Sequence, residues 1–261
     1  MKQRSGFTLI ELAIVLIILG LLAGGVLYGQ NLIRAAELRA IASEHEKFVA
    51  ATSTFRGKYF YLPGDMPNAE DFWGVFSAGG GCPAGSGVGT ETCNGNGDGM
   101  VFAGVADEAG EPFTYWQHLA NAGLIEGRYT GINGSDSTRD AELDVNVPRS
   151  KVSNAGWTFH LFGGGGANDY TFTDELGHIF RFGVDSDTWS TEDPALTPEE
   201  AWNIDSKIDD GLPTYGAVRA RFWNNQCGAA NDGTHTAADL DASYNLDDTD
   251  IECALFFVEG L

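Results

Sequence analysis

Few residues of this chain are placed for chemistry, and they fall into three groups. The first is a lone carboxylate, Glu11, in the otherwise uncharged run FTLIELAIVLIILGLLAGGVLYG from Phe7 to Gly29. A carboxylate at membrane depth is costly unless it is paired or protonated, so it marks a functional position. The second group is a row of oxygen ligands at alternate positions. Asn94, Asn96 and Asp98, followed by Gly99, read as the first half of an EF-hand-type calcium loop, with the Met100 carbonyl at the seventh position. The twelfth position is Val105, so Asp107 or Glu108 would have to supply the missing carboxylate. Two of the three side-chain ligands are neutral amides, which weakens affinity, and a Gly/Asn-rich turn without metal is the competing reading. A weaker calcium candidate is the acidic cluster of Asp239, Asp241, Asp247, Asp248, Asp250 and Glu252, which reads first as a solvated face. The third group is the four cysteines. Three pairings exist, and local pairing, Cys82 with Cys93 and Cys227 with Cys253, is the expectation. A zinc site is disfavoured because no CxxC pair exists.

Catalytic patterns are absent from the sequence: there is no GxSxG, no HExxH and no phosphate-cradling Walker loop. His45-Glu46 opens like a metalloprotease motif, but Val49 stands where the second His should be. His45 falls on an apolar helical stripe and reads as a packed, hydrogen-bonded side chain. The expectation is that the chain is not an enzyme.

The elements that position these residues follow from charge and periodicity. The 261 residues hold 15 Lys+Arg against 37 Asp+Glu, a formal charge of −22. Residues 1–58 carry a net +3 and residues 59–261 a net −25. Nucleic acid is excluded as a partner, because phosphate contacts need a basic surface. The 23-residue apolar run makes roughly 35 Å of helix, enough to cross a bilayer core. Lys2 and Arg4 would hold its short end in the cytoplasm. Ala35, Leu38, Ile41, Ala42, Phe48, Val49 and Phe55 continue at helical spacing, so one helix is expected from Phe7 to about Arg56. Pro63-Gly64 and Pro67-Asn68 end it, and Phe60, Tyr61, Phe72 and Trp73 are expected to pack the following loop onto a head.

Three readings of the N-terminus compete. A secretory signal peptide has a shorter apolar run, and a lipoprotein signal needs a Cys. A plain membrane anchor leaves Glu11 unexplained. The string Gly6-Phe7-Thr8-Leu9-Ile10-Glu11, behind a short basic leader, resembles the processing site of type IV pilins and type II secretion pseudopilins. The resemblance covers about the first 30 residues, and the family's long helix extends it to about residue 58. It implies cleavage by a prepilin peptidase after Gly6 and methylation of the new N-terminus, Phe7. It implies that Glu11 pairs with the terminal ammonium of a neighbouring subunit during assembly; a buried carboxylate becomes tolerable when a partner brings the opposite charge. One departure is Tyr28, which stands where many members have Pro; Gly20, Gly24 and Gly25 are the residues that loosen this helix instead. The family's major pseudopilins hold calcium in the head, but in a C-terminal loop. The segment from Tyr59 to Gly74, with WQHLANAGLIEG and IDSKIDDGLPTYG, is similar to a large-headed group of pilin-like proteins without a known ligand.

The fold class expected is α+β: a leader at 1–6, a long helix over 7–58 with its transmembrane half at 7–29, and a periplasmic or extracellular head over 59–261 carrying an antiparallel sheet and long loops. Helices are expected at Glu111–Gly123 and after the capping box Thr197-Pro198-Glu199-Glu200. His118 falls off the apolar face of the first. Half-buried strands are expected at Trp157–Phe162, Tyr170–Thr173, His178–Val184, Ala217–Trp223 and Ala254–Val258. The function expected is a structural subunit of a type IV pilus or type II secretion-type filament. Its partners would be identical or related pilin subunits, the peptidase, inner-membrane assembly machinery, and lipid before assembly. The alternative is a membrane-tethered or filament-tip head that grips a surface ligand with calcium.

Overall fold

From residue 9 onward no proline interrupts the chain until Pro63, and the computed structural model forms one helix, α1, over Leu9–Tyr59. The structure describes residues 8–76, 89–102, 110–132, 140–162, 176–185, 190–221, 227–229 and 242–260. The expected strand at Tyr170–Thr173 lies outside them. The chain divides into two units, Met1–Arg39 and Ala40–Leu261. In the first, every residue from Thr8 to Tyr28 is exposed, and an 18-residue window of α1 reaches a mean hydropathy of 2.7.

The second unit is the α+β head. The other helices are α2 (Glu70–Trp73), α3 (Glu111–Asn121) and α4 (Pro198–Ile208). The strands are β1 (Ala155–Phe162), β2 (Gly177–Asp185), β3 (Thr191–Asp193), β4 (Val218–Ala220), β5 (Gly228–Ala229), β6 (Ser243–Tyr244) and β7 (Leu255–Glu259). The main sheet runs in the order β1-β2-β7-β4, all antiparallel, with β3 also paired to β2; β5 and β6 form a separate two-stranded ladder. β4 is shorter than expected, Val218–Ala220: the Arg221 amide still donates to the Ala254 carbonyl at 2.9 Å, and Phe222 and Trp223 lie outside the described residues.

Period-2 alternation puts Trp157, Phe159, Phe180, Phe182 and Phe257 on one face of this sheet, in register across β1, β2 and β7. The second half of α1 lays Phe48 against that face. Its ring lies 4.9 Å from Trp116 of α3, 5.7 Å from Trp157 and 6.2 Å from Phe180, centroid to centroid. Tyr115 stacks on Phe159, and His45 stacks on Phe257 while its Nε2 lies 2.6 Å from a Glu259 carboxylate oxygen. Glu44 ties α1 down at its side: it accepts from Trp157 Nε1 at 2.9 Å, Ser150 Oγ at 2.7 Å and the Lys151 amide at 3.1 Å.

The strands are not half-buried, as the alternation predicts, but buried on both faces. The polar members of the pattern are paired inside: Thr158 with Thr191, and Arg181 with Ser190 and Glu192. Arg221 reaches the same Glu192 at 3.3 Å. A charge survives burial only with such partners. α3 departs from expectation in the same way. It is buried from Glu111 through Leu119, so His118, read as lying off the apolar face, is fully enclosed. Gly123 stops α3 with φ 72°, and the Leu124 amide reaches back to the Leu119 carbonyl, a left-handed C-terminal turn that favours glycine. In α4 both halves of the Thr197–Glu200 capping box form.

Candidate functional site

Two regions bear on function, the start of α1 and the loop around Asn94–Met100. At the start of α1, Thr8 and Glu11 form a reciprocal cap. The Thr8 amide and hydroxyl donate to Glu11 Oε2 at 2.7 and 2.8 Å, and the Glu11 amide donates to Thr8 Oγ1 at 3.3 Å. This is the T-x-x-E pattern of a capping box, and it gives Glu11 a partner within its own chain. Gly6 and Phe7 lie outside the described residues.

At the loop, the structure places the sequence-selected oxygens in a series of turns. Asn94 Oδ1 accepts from the Glu70 amide at 3.0 Å and so serves the start of α2. Asn96 Oδ1 accepts from the Asp98 amide at 2.9 Å, and Asp98 Oδ1 from the Met100 amide at 2.8 Å. Asn96 Nδ2 donates to Asp98 Oδ2 at 3.0 Å, which brings these two side chains together. Each accepting oxygen keeps a second lone pair. Asp107 and Glu108 lie outside the described residues.

Two buried acids that the sequence did not single out hold this loop. Asp65 accepts from the amides of Asp98 and Gly99, each at 3.0 Å, and Glu111 accepts from those of Asn96 and Phe102, each at 3.2 Å. Burial pushes the Asp65 carboxyl above its usual range, against the pull of the amides it accepts from. A Cβ on Gly95 would collide with the Gly64–Asp65 backbone, so only glycine lets the loop close on it. Beneath lies His118, whose Nδ1 accepts from the Gly64 amide at 3.0 Å. Thr92 gives its proton to Gln117, so its oxygen accepts from His118 Nε2 at 3.0 Å. Burial drives the His118 imidazole down to about 3, and it stays neutral.

The aromatics of the Tyr59–Gly74 segment do not pack as expected. Trp73 lies against Phe55 and His118, but Phe60, Tyr61 and Phe72 are exposed, at 84%, 37% and 55%. Further along the chain, Asp247 and Asp250 are exposed, and Asp248 accepts from the Asp250 amide. Asp239 and Asp241 lie outside the described residues. Among the described residues, the carboxylates that the fold gathers are Asp205, Asp209 and Asp210, with oxygens within 4.8 Å of one another. The turn at Gly211 after α4 makes this cluster, and IDSKIDDG was its only trace in the sequence. Asp205 accepts from Tyr244 Oη at 2.9 Å and the Gly211 amide at 3.2 Å, and burial pushes it up to about 7. Cys227 is bonded to Cys253. Cys93 is also disulfide-bonded, and Cys82 lies outside the described residues.

Residues 1–27 match the prokaryotic N-terminal methylation motif. The chain thus carries a leader of the type IV pilin and pseudopilin kind, followed by an apolar helix that fits a single-pass membrane anchor. Comparison of the chain with curated proteins and with solved structures gave no match.

Proposed function

We propose that this chain is a pilin-like structural subunit, cut after Gly6 and methylated at Phe7, that leaves the inner membrane for a type IV pilus or type II secretion-type filament. The observation that carries this reading is a combination. A methylation-motif match over residues 1–27 runs into a helix whose side chains are exposed at every position from Thr8 to Tyr28. Such a surface needs lipid or other copies of the same helix to cover it. Cleavage after Gly6 would leave the Phe7 ammonium one residue before the Thr8–Glu11 cap. In that setting Glu11 can exchange its own Thr8 for the ammonium of a neighbouring subunit, which desolvates both charges together.

The test is N-terminal mass spectrometry on membrane and sheared surface fractions. Methylated Phe7 as the first residue in sheared material supports an exported filament subunit. The same species confined to membranes favours a secretion-type or rare subunit, and intact Met1 in every fraction overturns the proposal. Glu11→Ala should abolish filament yield while the processed chain accumulates in the membrane with its head folded.

A further inference from the structure

The leader and the apolar helix leave the C-terminal end of α1 unexplained. The Phe60 amide closes α1 by donating to the Arg56 carbonyl at 2.9 Å, with φ 67° at Phe60. That left-handed position is one where glycine is the usual residue and a bulky aromatic is an outlier. Packing does not compensate for the strain, because the ring is 84% exposed. A strained backbone that presents an aromatic to solvent points to function at that spot.

A second observation lies beside it. A cleft of about 280 Å³ opens between the Arg56–Leu62 segment and the Gly97–Gly99 loop. Phe60, Tyr61, Asp65 and Asp98 are among its lining residues, with Arg56 of the last turn of α1. The Gly99 position is open, with nothing within 4 Å of where a Cβ would be. The volume is close to the lower limit for small-ligand sites and suits one small ring. The chemistry is mixed. Two aromatic faces offer negative π-surface to C–H groups, a guanidinium offers a fork of donors, and a carboxylate offers acceptors. A chair-form sugar ring, with an apolar C–H face and adjacent hydroxyls, satisfies all three at once. Residues 59–261 carry a net −25, which disfavours an anionic ligand.

We propose that this cleft binds one pyranose ring of an uncharged glycan, stacked on Phe60 and Tyr61 and hydrogen-bonded to Arg56 and Asp98. This goes beyond a role as a filament subunit and stands without it.

Saturation-transfer NMR on the full chain in detergent micelles tests the proposal, with methyl glucoside, methyl galactoside, methyl mannoside and N-acetylglucosamine as probes. At least one glycoside should receive saturation at millimolar concentration. Phe60→Gly should reduce binding at least tenfold while raising the melting temperature, because glycine relieves the left-handed strain as it removes the ring. Arg56→Gln should reduce binding similarly, and Phe72→Ala, an exposed aromatic outside the cleft, should not. No transfer to any of the four at 20 mM, or binding that survives Phe60→Gly, overturns the proposal. So does concentration-dependent self-association that Phe60→Gly abolishes, which would make the patch a contact between copies.

Discussion

The two halves of α1 obey different solvents. From Leu9 to Gly29 the helix is apolar on every side but for Glu11, and its large side chains are exposed, Leu9 at 88% and Leu27 at 63%. From Ala40 to Tyr59 it is amphipathic, burying Ala40, Ile41, Phe48, Ala51, Thr52 and Phe55 at helical spacing. A helix apolar all round belongs to a membrane or a core, and one with a single stripe belongs to a protein surface. One continuous backbone carries both patterns, so what distinguishes the halves is which side chains can be covered by their own chain. The second half is satisfied within the head. The first is left exposed, and covering it is the physical content of the subunit proposal.

The largest expected effect tests this division directly. Phe48→Ala empties a site walled by Trp116, Trp157 and Phe180, and should cost about 3–5 kcal/mol of head stability. Leu16→Ala should change head stability by less than about 0.5 kcal/mol, since that residue is 68% exposed. Denaturant melts of the full chain in detergent, read through head tryptophan fluorescence, check both. Comparable losses in the two variants would show that head stability depends equally on both halves of α1.

The same contrast explains what could be read in the sequence. The leader is legible because peptidase processing and membrane crossing are local demands, met by spacing and composition between Gly6 and Gly29. The α+β class is legible from periodicity, and the start of α4 from its capping box. The roles of Asp65 and Glu111 are not, because each depends on amides more than thirty residues away or on a loop that passes overhead. Nor is the burial of His118: an alternation or stripe reports one face, and neighbours from elsewhere in the chain cover the other. Phe60 shows the converse, an aromatic that pattern reads as core and that the helix end holds in solvent.

The pH response of the head should be of intermediate size. Buried titrating groups sit in the head. Asp205, pushed up to about 7 from its ordinary 3.8, folds best when protonated, so its contribution is present below about pH 4 and lost as pH rises through about 7. His118, driven down to about 3 from 6.5, folds best when neutral, so its contribution is present above about pH 6.5 and lost as pH falls toward 3. The two slopes oppose each other between about pH 4 and 6.5. Asp205→Asn keeps an acceptor for Tyr244 and removes one slope. Relative to the native chain, this variant should gain about 1–3 kcal/mol between pH 4 and pH 8. Glu11→Gln, in the other half of α1, should leave the head's pH profile unchanged. A flat difference for Asp205→Asn would show that Asp205 ionises normally in the fold.

The smallest effect concerns calcium, which we propose as a weak ligand of the Asn94–Met100 loop. Asn96 and Asp98 each spend one lone pair on an Asx-type turn and keep another, and Asp98 alone among the three alternate-position ligands carries charge. Sites this poor in charge have dissociation constants of about 10⁻⁴–10⁻³ M. At 1 mM calcium the folded state would then gain about 0.4–1.4 kcal/mol, or about 1–5 °C in melting temperature. Chelation should remove that increment, and Asp98→Asn should abolish the response to chelator, whereas Leu16→Ala should keep it. Equal melting with and without chelator removes calcium from this loop. A response that survives Asp98→Asn moves the ion to another acidic group, of which Asp205, Asp209 and Asp210 are the best gathered among the described residues. Each outcome keeps the division of α1 in view, because a cation held by the head should stabilise the half that packs there and leave the exposed half unaffected.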